Sequence, residues 1–132
     1  MSSLVTKLKD EHKLIFSMFE KVKSLGIGSR NGREELFKVK ELILSHLKTE
    51  NEYIYPRFAI LSQKNPSLKG ISDKFQNEMT DISKQAIAFF DKYLADSTGF
   101  EFGKDYAKLY LTLSSRMKDE ENVLYTEFDK YA

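Results

Sequence analysis

LSHLKTENEYIYP (Leu44–Pro56) and SSRMKDEENVLYT (Ser114–Thr126) decide the fold of this 132-residue chain. The two stretches align at a constant offset of 70, which sets His46 on Arg116, Glu50 on Glu120 and Tyr55 on Tyr125. Residues four apart share a helix face about one turn apart. Each stretch therefore reads as a helix with two polar side chains on one face. The first pair is His-x-x-x-Glu and the second is Arg-x-x-x-Glu, so two related halves carry different chemistry.

The repeat extends outward from these segments. DEHKLI (Asp10–Ile15) matches NEMTDI (Asn77–Ile82), so that Leu8, His12 and Ile15 map onto Phe75, Met79 and Ile82, each 67 residues on. Glycines in GIGSRNG (Gly26–Gly32), at 70, 99 and 103, and the two prolines, Pro56 and Pro66, divide the chain into four pieces of helix length. Each piece carries an apolar stripe with three- and four-residue spacing. The stripes are Leu8, His12, Ile15, Phe19, Val22; then Val39, Ile43, His46, Glu50, Tyr53; then Phe75, Met79, Ile82, Ala86, Phe89, Tyr93; and finally Tyr106, Leu109, Leu113, Arg116, Glu120, Val123. The pattern predicts an all-α, up-down-up-down four-helix bundle built from a duplicated helical hairpin with a pseudo-twofold axis, as one domain over residues 1–132. Pro56 falls inside the second pattern and predicts a kink or an early helix end.

Bulk composition narrows the function. The chain has 21 basic and 20 acidic residues and a net charge of +1, which gives no overall pull toward nucleic acid. It has no cysteine, which excludes disulfides and zinc–thiolate sites. No apolar run is long enough to span a bilayer, and the N-terminus lacks a signal-peptide core. The expectation is a cytoplasmic protein.

Five residues on the stripes are not apolar in the expected way: His12, His46, Glu50, Arg116 and Glu120. Charged groups are costly in a core unless paired or bound to a metal. Under the pseudo-twofold they meet at one depth. His12, His46, Glu50 and Glu120 offer imidazole and carboxylate donors that suit one ion of iron or manganese, with zinc as another fit. Met79 and Arg116 do not supply a second ion: thioether is a poor ligand for hard iron, and guanidinium is a permanent cation. The competing reading has no metal. Arg116 then forks onto Glu50 or Glu120 and fills the ion's place. Glu78 and Glu11 read as rim charges, with Glu78 the reserve ligand should helix 3 turn. Tyr53 reads as a core aromatic able to donate a hydrogen bond, and Glu121 and Asn51 as supporting or surface residues. Whether Tyr and Phe residues near Phe100 and Phe102 form a dimer surface is not legible in the sequence.

On these residues the chain resembles the hemerythrin-like, HHE cation-binding domains. Their pattern is a histidine on helix 1, His-x-x-x-Glu on helix 2, a histidine on helix 3 and His-x-x-x-Glu on helix 4. TENEYIYP (Thr49–Pro56) matches the usual continuation of the second motif. The resemblance implies that His12, His46, Glu50 and Glu120 stand at ligand positions, with Met79 and Arg116 where two histidines belong. It implies a non-haem metal, iron foremost, and a role in O2 binding, iron or oxygen sensing, or nitrosative-stress repair. The two replaced histidines lie in one half and argue against a di-iron centre. Ferritin-like oxidases are disfavoured, because Glu-x-x-His does not occur here. The expectation is a metal-dependent sensor or small-ligand binder. The alternatives are a metal-free bundle that binds a protein partner and, least supported, an oxidase-like enzyme.

Overall fold

Two breaks in helical regularity, at the same place in each half, govern how this bundle presents its core. The structure, a computed structural model, describes residues 2–95 and 101–131. Its helices are α1 (Ser3–Leu25), α2 (Arg30–Thr49), α3 (Tyr55–Leu61), α4 (Pro66–Ala95), α5 (Phe102–Asp119) and α6 (Tyr125–Lys130). A π-helical turn, Glu50–Ile54, joins α2 to α3, and a second, Glu120–Leu124, joins α5 to α6. The result is four helical rods, with no strand among the described residues. No described helix is long and apolar enough to cross a membrane.

Local chemistry sets the rod ends. The Ser2 hydroxyl caps α1 by accepting from the Val5 N–H, and the Ser29 hydroxyl caps α2 by accepting from the Gly32 N–H. Gly26 closes α1 with φ 77°, a conformation that favours glycine. A Cβ on Gly32 would lie 1.8 Å from the Gly26 carbonyl oxygen. The GIGSRNG turn is thus tight enough to need glycine at both places. α1 starts early, as Leu4 and Leu8 imply.

The stripes are buried as the spacing predicts as far as Glu50 and Glu120. Beyond them the prediction fails. Tyr53 is 59% exposed and Val123 40%, while Ile54, Tyr55, Leu124 and Tyr125 point inward. The π turns are the cause. In each, the N–H of Tyr55 or Tyr125 bonds back five residues, to the carbonyl of Glu50 or Glu120. The extra residue moves the next inward position on by one. Pro56 neither ends the rod nor explains the turn. The helix resumes through it, and Thr126 occupies its place in the second half beside an equivalent π turn.

Two apolar clusters fill the bundle. One contains Ile15, Phe19, Val39, Ile43, Phe90 and Leu113; the other contains Leu8, Ile54, Phe58, Phe75, Leu124 and Tyr125. Along α1, His12 falls between Leu8 and Ile15. Along α2, His46 and Glu50 fall between Ile43 and Ile54. On the fourth rod, Arg116 and Glu120 fall between Leu113 and Leu124. The polar layer therefore lies between two dry clusters, where unpaired charge is most costly. Phe102, partly buried, packs on the rings of Phe89, Tyr93 and Tyr106. Phe100 lies outside the described residues.

Candidate metal centre

His12, His46, Glu50, Arg116 and Glu120 are all buried, and they meet at one depth. α1 and α2 turn their imidazoles toward each other, with the two Nε2 atoms 3.1 Å apart. Glu120 Oε1 lies 3.0 Å from His12 Nε2 and 3.7 Å from His46 Nε2. Donor atoms of His12, His46 and Glu120 all fall within 4.8 Å of one another, the spacing of a group able to hold a metal ion. Glu50 closes the cluster from below. Its Oε1 is 3.7 Å from His46 Nε2 and has no hydrogen-bond partner, although the residue is fully buried. A buried carboxylate oxygen without a partner is costly, and a cation would satisfy it.

Each imidazole is held from behind by a carboxylate. His12 Nδ1 donates to Glu121 Oε2 at 2.7 Å, and His46 Nδ1 donates to Glu11 Oε1 at 2.8 Å. The Nδ1–H bond aims each Nε2 into the cluster, where it can bind a cation once it has given up any proton of its own. Glu11 is therefore more than a rim charge: its side chain is 14% exposed and orients a histidine on the neighbouring helix. Glu121 plays the supporting part expected of it.

The second half is built differently. Arg116 Nε donates to Glu120 Oε2 at 3.1 Å. Its Nη2 donates to the Tyr55 hydroxyl and the Phe75 carbonyl, and the guanidinium stacks 4.7 Å from the Phe75 ring. Arg116 pairs with Glu120 and not Glu50, because Glu120 is its i+4 neighbour on the same rod. The pairing uses Oε2 and leaves Oε1 facing the histidines, so the guanidinium does not occupy the space between them. Met79 is buried in apolar surroundings. Glu78 is 41% exposed on the rim and only approaches Arg116 Nη1, at 3.5 Å, so it is no reserve ligand here. Tyr53 faces solvent and makes no contribution.

Tyr125 was hidden by the π turn. Its hydroxyl lies 3.3 Å from both Nε2 atoms, 3.0 Å from Glu50 Oε2 and 3.2 Å from Glu120 Oε1. The one sequence signal for it is its repeat partner Tyr55, whose hydroxyl meets Arg116 instead.

Electrostatics separates the two carboxylates. Burial, then the neighbouring Glu120 charge, pushes Glu50 well above the usual carboxyl range. Burial also works against ionised Glu120, yet hydrogen bonds from His12, His46 and Glu50 and the Arg116 charge hold it below that range. Burial alone would lower His12, but Glu120 and Glu121 outweigh it and raise the imidazole. Without metal, the layer favours the anionic form on Glu120 over that on Glu50.

The family model for the hemerythrin HHE cation binding domain matches residues 3–128. The chain belongs to the hemerythrin HHE cation-binding family. No curated relative and no solved structure matches it. In the middle of the bundle a His/Glu cluster is able to hold a metal, as membership of a cation-binding family suggests. The donor set fits one ion: two imidazoles with inward-aimed Nε2 atoms, an ionised carboxylate and an unsatisfied buried oxygen. It does not fit two, because Met79 and Arg116 offer the second position a thioether and a cation.

Proposed function

We propose that this chain holds one non-haem metal ion, iron in its working state, through His12, His46, Glu50 and Glu120. It then acts as a metal- or oxygen-related sensor or small-ligand binder and not as a turnover enzyme. The observation that carries this reading is the pair of Nε2 atoms 3.1 Å apart, each aimed inward by a carboxylate on its Nδ1. Two imidazoles that converge on one buried carboxylate oxygen make a good chelate. A cavity of about 30 Å³ adjoins His46, Arg116 and Glu120 and, apart from Ser83, is otherwise lined by apolar residues such as Ile15, Met79 and Leu113. That is room for one diatomic molecule beside the ion, on the scale of one or two waters.

Metal analysis of protein purified from iron-supplemented culture tests the reading. About one equivalent of a transition metal per chain is expected; less than roughly one-tenth sinks it, since such a donor set retains its ion. A second reading draws on the Arg116–Glu120 pair: a metal-free bundle that binds a protein partner, with the ion pair fixing the register of the fourth rod. Stoichiometric iron in the same measurement removes that alternative.

A further inference from the structure

We propose that Tyr125 is itself a metal ligand, its phenol oxygen completing a four-donor set with His12 Nε2, His46 Nε2 and Glu120 Oε1. The inference rests on the metal-binding reading above and adds a donor to it. The geometry is specific. Six distances join these four atoms: 3.1 Å between the imidazoles, 3.0 and 3.7 Å from Glu120 to each of them, and 3.3, 3.3 and 3.2 Å from Tyr125 to the other three. Six nearly equal separations describe a tetrahedron. The centre of a regular tetrahedron with an edge of about 3.3 Å lies about 2.0 Å from every corner, which is the bond length of first-row divalent ions to imidazole nitrogen and to oxygen. A tyrosine that only satisfied Glu50 would need its 3.0 Å contact to Glu50 Oε2 and none of these three. Glu50 remains beside the set as a fifth donor, through the oxygen that lacks a partner.

Both halves carry a tyrosine after a π turn, but only one meets a pair of imidazoles. Tyr55 meets Arg116, a cation that repels a metal. The second half thus lends its π turn and its tyrosine to the ion that the first half's histidines bind. When the ion enters, the phenol O–H bond breaks, an oxygen–metal bond forms, and the proton passes to the buffer.

Ferric iron reports the difference directly, because phenolate bound to iron(III) absorbs visible light, whereas imidazole and carboxylate ligands give no such band. The parent chain loaded with iron(III) should be coloured, and resonance Raman excitation in the band should show phenolate ring modes. Tyr125→Phe should lose the band and bind metal more than about tenfold more weakly, a larger effect than removing a ligand's supporting group gives at its low end. Tyr55→Phe should keep the band. A parent chain holding stoichiometric iron without phenolate modes overturns this inference and leaves the metal reading standing. That result needs no variant, so it stands even if Tyr125→Phe does not fold. A parent chain that takes up no iron overturns both.

Discussion

The first and second hairpins share a backbone plan and differ in what they place at its centre. Both interrupt their second rod with a π turn directly after the i+4 pair, and both bury a glutamate there. The first hairpin offers imidazoles at 12 and 46; the second offers a thioether at 79 and a guanidinium at 116. The two halves thus share a scaffold, while only the first carries nitrogen donors for a metal. What replaced them is not a void. Arg116 adds a permanent charge that helps to keep Glu120 ionised, and Glu120 Oε1 faces the Nε2 atoms of both histidines. In this way the second half conditions the site that the first half forms.

Restoring the missing donors should produce the largest effect. Met79→His together with Arg116→His gives the second hairpin the residues that the first carries at matching positions. It also releases Glu120 Oε2, now bound to Arg116, to bridge. Metal content should rise from about one ion per chain to about two, measured by elemental analysis after iron loading. If it stays at one, the halves differ in geometry as well as in side chains, and the comparison fails.

The supporting carboxylates should have a smaller effect, and a graded one. Removing the partner of a ligating imidazole commonly weakens metal binding about 10- to 100-fold. Glu11→Ala should fall near the upper end of that range, since Glu11 is the better shielded, with a side chain 14% exposed. Glu121→Ala should fall near the lower end, because its side chain is 37% exposed and water replaces it readily. Competition titration with a chelator gives both numbers, and equal or reversed losses would show that burial does not set the strength of these supports.

The same asymmetry appears in what the sequence revealed. Up to Glu50 and Glu120 the three- and four-residue spacing identifies every inward residue of the polar layer. Past those points it selects Tyr53 and Val123 where the chain buries Tyr55 and Tyr125. A periodic reading assumes an unbroken helix, and Tyr53, Ile54 and Tyr55 are apolar enough to satisfy either register. Pro56 drew attention to a break in the first half, yet the second half breaks identically without a proline. Glu11 was illegible for another reason. One residue off the stripe, it resembles any surface acid, and its partner His46 lies 35 positions away.

Acidity should shift stability by less, in opposite senses with and without metal. His12 is raised above its ordinary value of 6.5, so its ion pairs stabilise the metal-free fold below that pH and weaken as pH rises through the raised value. Glu50, raised above 4.5, adds a loss of the same sign. Glu120, lowered from 4.5, acts oppositely and costs stability only as pH falls toward its lowered value. The metal-free protein should therefore melt at a lower temperature at about pH 8 than at about pH 6. Metal needs deprotonated ligands, so the rise in melting temperature on loading should be greater at the higher pH. Equal rises at both would mean that no ligand exchanges a proton for the ion. Arg116 keeps its charge throughout, so this sensitivity belongs to His12 and the glutamates.

The finest test of the comparison is a proline moved from one half to the other. Inside a regular α-helix proline costs about 3 kcal/mol, because it removes a hydrogen bond and its ring strikes the preceding turn. Pro56 sits just past the first π turn, where the five-residue step has already changed which carbonyls face the following N–H groups. If the second turn reproduces that geometry, Thr126→Pro meets a backbone already suited to it. The substitution removes the bond from the Thr126 hydroxyl to the Glu121 carbonyl, an exposed contact of 2.9 Å, which is worth about 1 kcal/mol at most. Urea denaturation should then show a loss of about 1 kcal/mol, well short of the helix-interior cost. A loss near 3 kcal/mol would mean that the two π turns agree in hydrogen bonding but not in shape, and that Tyr125 reaches the histidines by a path Tyr55 does not share.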